Sequence, residues 1–190
     1  MNRALIVVDV QRDFCEGGSL AVAGGAAVAA AISELLEGDH GYRHVLATRD
    51  HHIDPGSHFS AHPDFVDSWP PHCVVGTPGV ELHDQLTFRG FEAVFDKGEY
   101  TAAYSGFEGR DVTGVGLADW LSQHAVDEVD VCGIATDYCV RATAFDAAAA
   151  GFLTTVLASL TAAVDPQRID ETWAALRSEG VLIKGELSTD

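Results

Sequence analysis

Apolar and polar positions along the chain sort into two kinds of segment that alternate. Residues 4–8 form a continuous aliphatic run, the pattern of a strand buried on both faces. Residues 24–36 are alanine-rich, place Val28, Ile32, Leu35 and Leu36 on one helical face, and stop at Gly38. Residues 44–48 and 93–95 predict two further short strands, and Leu117, Trp120 and Leu121 share one face of a helix that ends before Val126. A fourth strand follows at 129–132, an alanine-dominated helix at 136–150 and a fifth strand at 152–157. Asp165-Pro166 opens a last helix, with Asp as cap and Pro at its first position, before an edge strand at 181–183.

Strands alternating with helices predict a three-layer α/β/α fold with a mostly parallel, six-stranded, doubly wound sheet. The whole chain, 1–190, reads as one domain, without repeat or linker. One stretch breaks the alternation. Residues 49–92 stand where a crossover helix is due, yet they are rich in His, Pro, Asp and Trp and carry no sustained period. A loop of that size in a compact domain is usually functional.

Composition narrows the class. With 11 Lys plus Arg against 29 Asp plus Glu, the net charge is −18, and no basic cluster offers a footprint for nucleic acid or for an anionic membrane. No apolar run reaches the roughly 18 residues needed to span a bilayer, and the first one is too short for a leader core. Cys15, Cys73, Cys132 and Cys139 are too sparse for a disulfide scaffold, so the expectation is a cytoplasmic protein with reduced thiols. These features favour a small neutral or cationic ligand.

In an open parallel sheet, ligands bind beyond the carboxyl ends of the strands, where strand order reverses. Asp9 ends the first predicted strand, Asp50 follows the second, Lys97 the third, and residues 133–139 the fourth. In the long loop, Asp50 and His52 are two apart and point the same way if the chain is extended. His58 and His72 can fold back across turns favoured by Pro55-Gly56 and Pro70-Pro71. One carboxylate and three imidazoles suit zinc, manganese or iron; a solvated His-rich loop is the alternative. Cys139 lies three residues after Thr136, a candidate N-cap, where helix amides lower a thiol's pKa; an inert buried thiol is the alternative. Asp9 is a candidate proton acceptor, Lys97 a partner for its charge, and 133–135 a source of backbone N–H groups for an oxyanion. Neither a dinucleotide-binding glycine fingerprint nor a P-loop occurs.

Read together, Asp9 in Val-Val-Asp-Val-Gln-x-Asp-Phe, the loop Arg-Asp-His-His-Ile-Asp-Pro-Gly-Ser-His-Phe, Trp-Pro-Pro-His-Cys at 69–73, Phe-Asp-Lys-Gly at 95–98 and Gly-Ile-Ala-Thr-Asp-Tyr-Cys-Val at 133–140 resemble the nicotinamidase/pyrazinamidase family of isochorismatase-like cysteine hydrolases. The resemblance implies hydrolysis of nicotinamide to nicotinate and ammonia through a thioester. It implies Cys139 as nucleophile, Asp9 as proton carrier and Lys97 between them. Asp50, His52, His58 and His72 would hold one divalent metal, zinc first, with iron or manganese as alternatives. Phe14 and Trp69 would flank the ring, with Tyr104, Ile134 and Ala135 nearby. A cis peptide at Ile134-Ala135, costly outside proline, would aim the amides of Ala135 and Cys139 at the oxyanion. Two departures stand out: His51 places a spare imidazole beside the metal loop, and Tyr138 replaces a frequent histidine. A related amidase or carbamoyl hydrolase, and a non-catalytic metal- or ligand-binding module, are the competing readings. The sequence does not decide between monomer and homo-oligomer.

Overall fold

The computed structural model describes residues 2–185. Six strands form one sheet: β1 Arg3–Val8, β2 His44–Asp50, β3 Ala93–Lys97, β4 Glu128–Ile134, β5 Leu153–Ala162 and β6 Leu182–Lys184. Their order is β3-β2-β1-β4-β5-β6, and every pairing is parallel, the edge strand included. The chain winds outward from β1 in one direction and, from β4, in the other. The order therefore reverses between β1 and β4.

The period of two along β1 divides the core. Leu5 and Val7 face α1 (Gly25–Glu37), packing with Val28, Ile32 and Leu36. Ala4, Ile6 and Val8 face the opposite layer of α2 (Leu117–Gln123), α3 (Arg141–Ala149) and α4 (Ile169–Ser178), where Trp120, Leu121, Ala144, Trp173 and Leu176 are buried. All five of those β1 side chains are fully buried, so the strand's unbroken aliphatic run is a consequence of helices on both faces.

No helix replaces the β2–β3 crossover; the connection contains only single 3-10 turns at Gly56–His58 and Pro78–Val80. Cys73, Val80 and Leu86 from it join the α1-side core, which anchors an otherwise irregular segment.

Two expectations change. The fifth strand runs to Ala162 rather than 157, because the β4–β5 register shifts between Val131 and Gly133 and the pairing resumes at Thr161; a bulge leaves no signature in hydrophobic period. Thr136 does not cap a helix. Ala135 occupies the cap position without a side-chain bond, and Thr136–Val140 form one π-turn that runs into α3. Gly133 has φ +115°, and a Cβ there would lie 2.1 Å from the Val8 carbonyl oxygen, so only glycine allows β1 and β4 to close at the switch point.

Candidate active site and metal centre

Strand register assembles the first half of the site. Asp50 and Lys97 are the terminal paired residues of β2 and β3, so both side chains emerge at the carboxyl edge beside Asp9, which follows β1. Asp9 has φ +49°, a left-handed conformation that aspartate tolerates better than most residues. Its Oδ1 accepts from Thr48 Oγ1 at 2.6 Å and its Oδ2 pairs with Lys97 Nζ at 2.9 Å. The same ammonium pairs with Asp50 Oδ1, lies 3.3 Å from the Ala103 carbonyl oxygen, and reaches Cys139 Sγ at 3.7 Å. Asp9 and Lys97 are completely buried as side chains.

Burial governs the protonation of this cluster. Desolvation raises the Asp9 carboxyl above its ordinary value, and Lys97 offsets this only in part. Desolvation acts on Asp50 too, but there Lys97, His52 and His72 win and hold it well below the carboxylate range. Burial works against the Lys97 charge, yet Asp50 and Asp9 together push its pKa well up. Desolvation also pushes the Cys139 thiol well up, beyond what Lys97 can reverse, with Asp9 and Asp50 adding to the rise. This runs against the helix-dipole expectation: burial beside two carboxylates raises the thiol's pKa, and the neighbouring Asp9 carboxyl is raised as well.

The loop builds the second half. His52 Nε2 lies 3.5 Å and His72 Nε2 3.7 Å from Asp50 Oδ2, and one ring nitrogen from each of His52, His58 and His72 falls within 4.8 Å of the others. His52 Nδ1 is 2.6 Å from the Gly98 carbonyl oxygen and His72 Nδ1 2.8 Å from that of Pro70. A carbonyl only accepts, so both Nδ1 atoms carry the proton and both Nε2 lone pairs are available. Gly98 has φ +77°, and a Cβ there would stand 2.7 Å from the His52 ring; glycine is what lets its carbonyl approach. His52 Nε2 is buried with no hydrogen-bond partner. Two buried carboxylates, Asp9 and Asp50, share one ammonium. The donor set, the unpartnered nitrogen and the surplus negative charge all fit a divalent cation.

Three positioning residues escaped the sequence reading. Gln11, fully buried, donates to the carbonyls of Asp50 and Val80 and accepts from the Asp50 amide, each at 2.8 Å. Asp13 accepts from the Cys73 amide at 2.7 Å, next to His72. The connection after β1 thus holds both arms of the loop. The third residue is Thr48. Their only signal was membership of the quoted motifs or of a strand, where a polar residue looks like an ordinary turn or β-sheet position.

A cavity with about 440 Å³ of empty space, mouth included, opens onto Cys139 and onto Asp50, His58 and His72. Phe14, Trp69, Tyr104, Ile134, Ala135 and Tyr138 line it. The Trp69 indole N–H donates to Tyr104 Oη at 3.2 Å, and its ring meets Tyr138 edge-on at 5.2 Å; the Phe14 ring leans on His72 at 5.4 Å. The Ile134-Ala135 peptide is cis. His51 does not join the site. In an extended segment it points away from its two neighbours, and its imidazole reaches Glu99 Oε1 at 3.4 Å instead. All four cysteines are free, and no helix among the described residues is long and apolar enough to cross a membrane.

Comparison with known proteins gives the family. The chain is 62% identical over 174 residues to a nicotinamidase/pyrazinamidase of Mycobacterium tuberculosis, covering 92% of each chain. Its fold matches that of PnC1 from L. infantum, solved in complex with nicotinate, with a TM-score of 0.84 and 37% identity over 96% of this chain and 91% of that one. It also matches a pyrazinamidase of Pyrococcus horikoshii solved in complex with zinc, with a TM-score of 0.82 and 34% identity over 98% and 100% of the two chains. The Isochorismatase domain family matches residues 3–186. The chain belongs to the isochorismatase family.

Proposed function

We propose that this protein hydrolyses nicotinamide to nicotinate and ammonia, and pyrazinamide likewise, as a metal-dependent cysteine amidase. The carrying observation is the contact chain that runs from Cys139 and Asp9 through Lys97 to Asp50 and on to His52 and His72. It joins a thiol–carboxylate pair to a cluster of metal donors beside one small cavity. Relatives named nicotinamidase support the substrate.

Asp50, His52, His58 and His72 would hold the ion, with zinc favoured by the imidazole-rich donor set and by the zinc-bound relative. Bound there, it would supply an electrophilic centre for the ring nitrogen of a pyridine carboxamide and so fix the ring. Phe14 and Trp69 offer the flat apolar walls, with Tyr104 beside Trp69 on the same cavity and Ile134 and Ala135 at the carboxamide end. As Cys139 Sγ bonds to the amide carbon, its proton passes to Asp9. The amides of Ala135 and Cys139 stabilise the oxyanion. Asp9 returns the proton to the nitrogen as the C–N bond breaks, and ammonia leaves a thioester. Asp9 then takes a proton from water as it attacks, and Sγ departs to recover that proton. Lys97 keeps its charge throughout and holds Asp9 in reach of both partners.

The test is ammonia release from nicotinamide by purified, metal-loaded protein. Turnover supports the assignment; a folded, metal-loaded protein without turnover refutes the substrate.

A further inference from the structure

Thr48 lies in β2, completely buried and paired in register with Val8 on one side and Phe95 on the other. It does not line the cavity. It holds Asp9 twice: its hydroxyl donates to Oδ1 at 2.6 Å, and its carbonyl accepts from the Asp9 amide at 3.2 Å. Its methyl is held as well. A Cβ on Gly106 would lie 2.6 Å from Thr48 Cγ2, so the bare backbone of Gly106 packs directly on that methyl, and the Gly106 amide is itself tied to Thr143 Oγ1 at 2.9 Å. A β-branched side chain is stiff about χ1. With the methyl against Gly106, the hydroxyl is aimed at Asp9.

The two carboxylate oxygens therefore differ. Oδ1 is occupied by the hydroxyl, whereas Oδ2 faces Lys97 Nζ at 2.9 Å. We propose that Thr48 is a positioning residue for the hydrolysis: its hydroxyl, aimed by the contact with Gly106, fixes the plane of the Asp9 carboxylate so that Oδ2 is the oxygen that takes the thiol proton and returns it. This rests on the reading of Asp9 as proton carrier. The S–H bond breaks as S–C forms, the proton rests on Oδ2, and it moves to nitrogen as C–N breaks. Oδ1 stays an acceptor of the Thr48 hydroxyl throughout.

Three variants test it: Thr48→Val and Thr48→Ala remove the donor, and Thr48→Ser keeps the donor while losing the methyl. With nicotinamide, kcat should fall about 10- to 100-fold in Thr48→Val and Thr48→Ala, part of the usual contribution of a positioned acid–base group, with KM within about twofold. Thr48→Ser should recover to within about fivefold of the parent, the remaining deficit reflecting a hydroxyl free to rotate. Alkylation of Cys139 by iodoacetamide, which needs no substrate, should slow in the same order, while zinc content stays at the parent level. If Thr48→Val does not fold, Thr48→Ala decides. The proposal is overturned by a folded donor-less variant with kcat within about twofold of the parent, by Thr48→Ser being as slow as Thr48→Val, or by metal being lost with the rate. A parent protein that releases no ammonia refutes the functional reading, and the alkylation series still judges Thr48.

Discussion

The two ends of the sheet each bury a carboxylate, with opposite consequences. At the amino end, Asp130 of β4 is 1% exposed; it pairs with Arg3 and accepts from Tyr42 Oη at 2.7 Å. The Arg3 guanidinium lies over the Tyr42 ring at 5.3 Å. Burial and the bond to Asp130 push the Tyr42 hydroxyl well up, so it stays a donor at any physiological pH. One cation and one hydroxyl meet at Asp130, with the part-buried Glu128 Oε2 3.9 Å from Arg3 Nε on the outer side. At the carboxyl end, Asp9 and Asp50 compete for Lys97, an imidazole nitrogen has no partner, and a cavity lies alongside. A closed set of charges is a structural tie; an open set with spare donors and space beside it is where chemistry is to be sought.

That contrast can be broken by mutation. Cys139→Ala should reduce ammonia release by about 10⁴-fold or more while metal content and melting temperature stay near the parent values; loss of metal alongside activity would make Cys139 part of the metal site. His52→Ala should weaken zinc binding by more than the about 10- to 100-fold typical of losing an outer-shell partner, as read by competition with a chelator, and unchanged affinity would remove His52 from the donor set. Asp130→Asn at the other end should cost about 1–3 kcal/mol in denaturant melts, the range for disturbing a buried hydrogen-bonded group, with kcat within about twofold of the parent. A large kcat loss there would erase the distinction between the two ends.

The smallest effect concerns a charge near the active rim that serves structure alone. Glu16 accepts from the amides of Gly24 and Ala26 at 2.7 and 2.9 Å, capping α1, whose own cap residue is a glycine. Those bonds lower its pKa in the folded protein. A depressed acid adds stability above its unfolded pKa and loses it as pH falls through the folded value. Glu16→Gln should therefore melt slightly below the parent near neutrality, and the gap should close as pH drops below the ordinary glutamate range. A gap that persists in acid would mean that the charge is not what stabilises the cap.

How legible the molecule was from its sequence depended on whether a feature lives in local pattern. The aliphatic run of β1 and the amphipathic stripe of α1 follow from burial, which periodicity records. Asp50 and His52 came as a pair because extended chain alternates, and the same rule, pushed one residue further, would have turned His51 away. Thr48 and Gln11 were invisible for the opposite reason: their roles lie in bonds to Asp9 and to the Asp50 backbone, contacts that exist only once β1 and β2 pair. The π-turn at Thr136–Val140 and the register shift in β5 are likewise products of packing at the switch point.

Gly133 carries a consequence for how this protein can change. With its φ of +115° and the Val8 carbonyl 2.1 Å from where a side chain would begin, every other amino acid is excluded at the seam between the two halves of the sheet. Asp9 directly follows one strand of that seam, and the other leads to Cys139. Mutational variation at 133 is thus shut out beside the proposed nucleophile and its proposed base. It is admitted at the exposed parts of the loop between β2 and β3, where Ile53, Phe65 and Val66 face solvent. A library built to retune this catalyst should leave 133 untouched and spend its diversity in that loop.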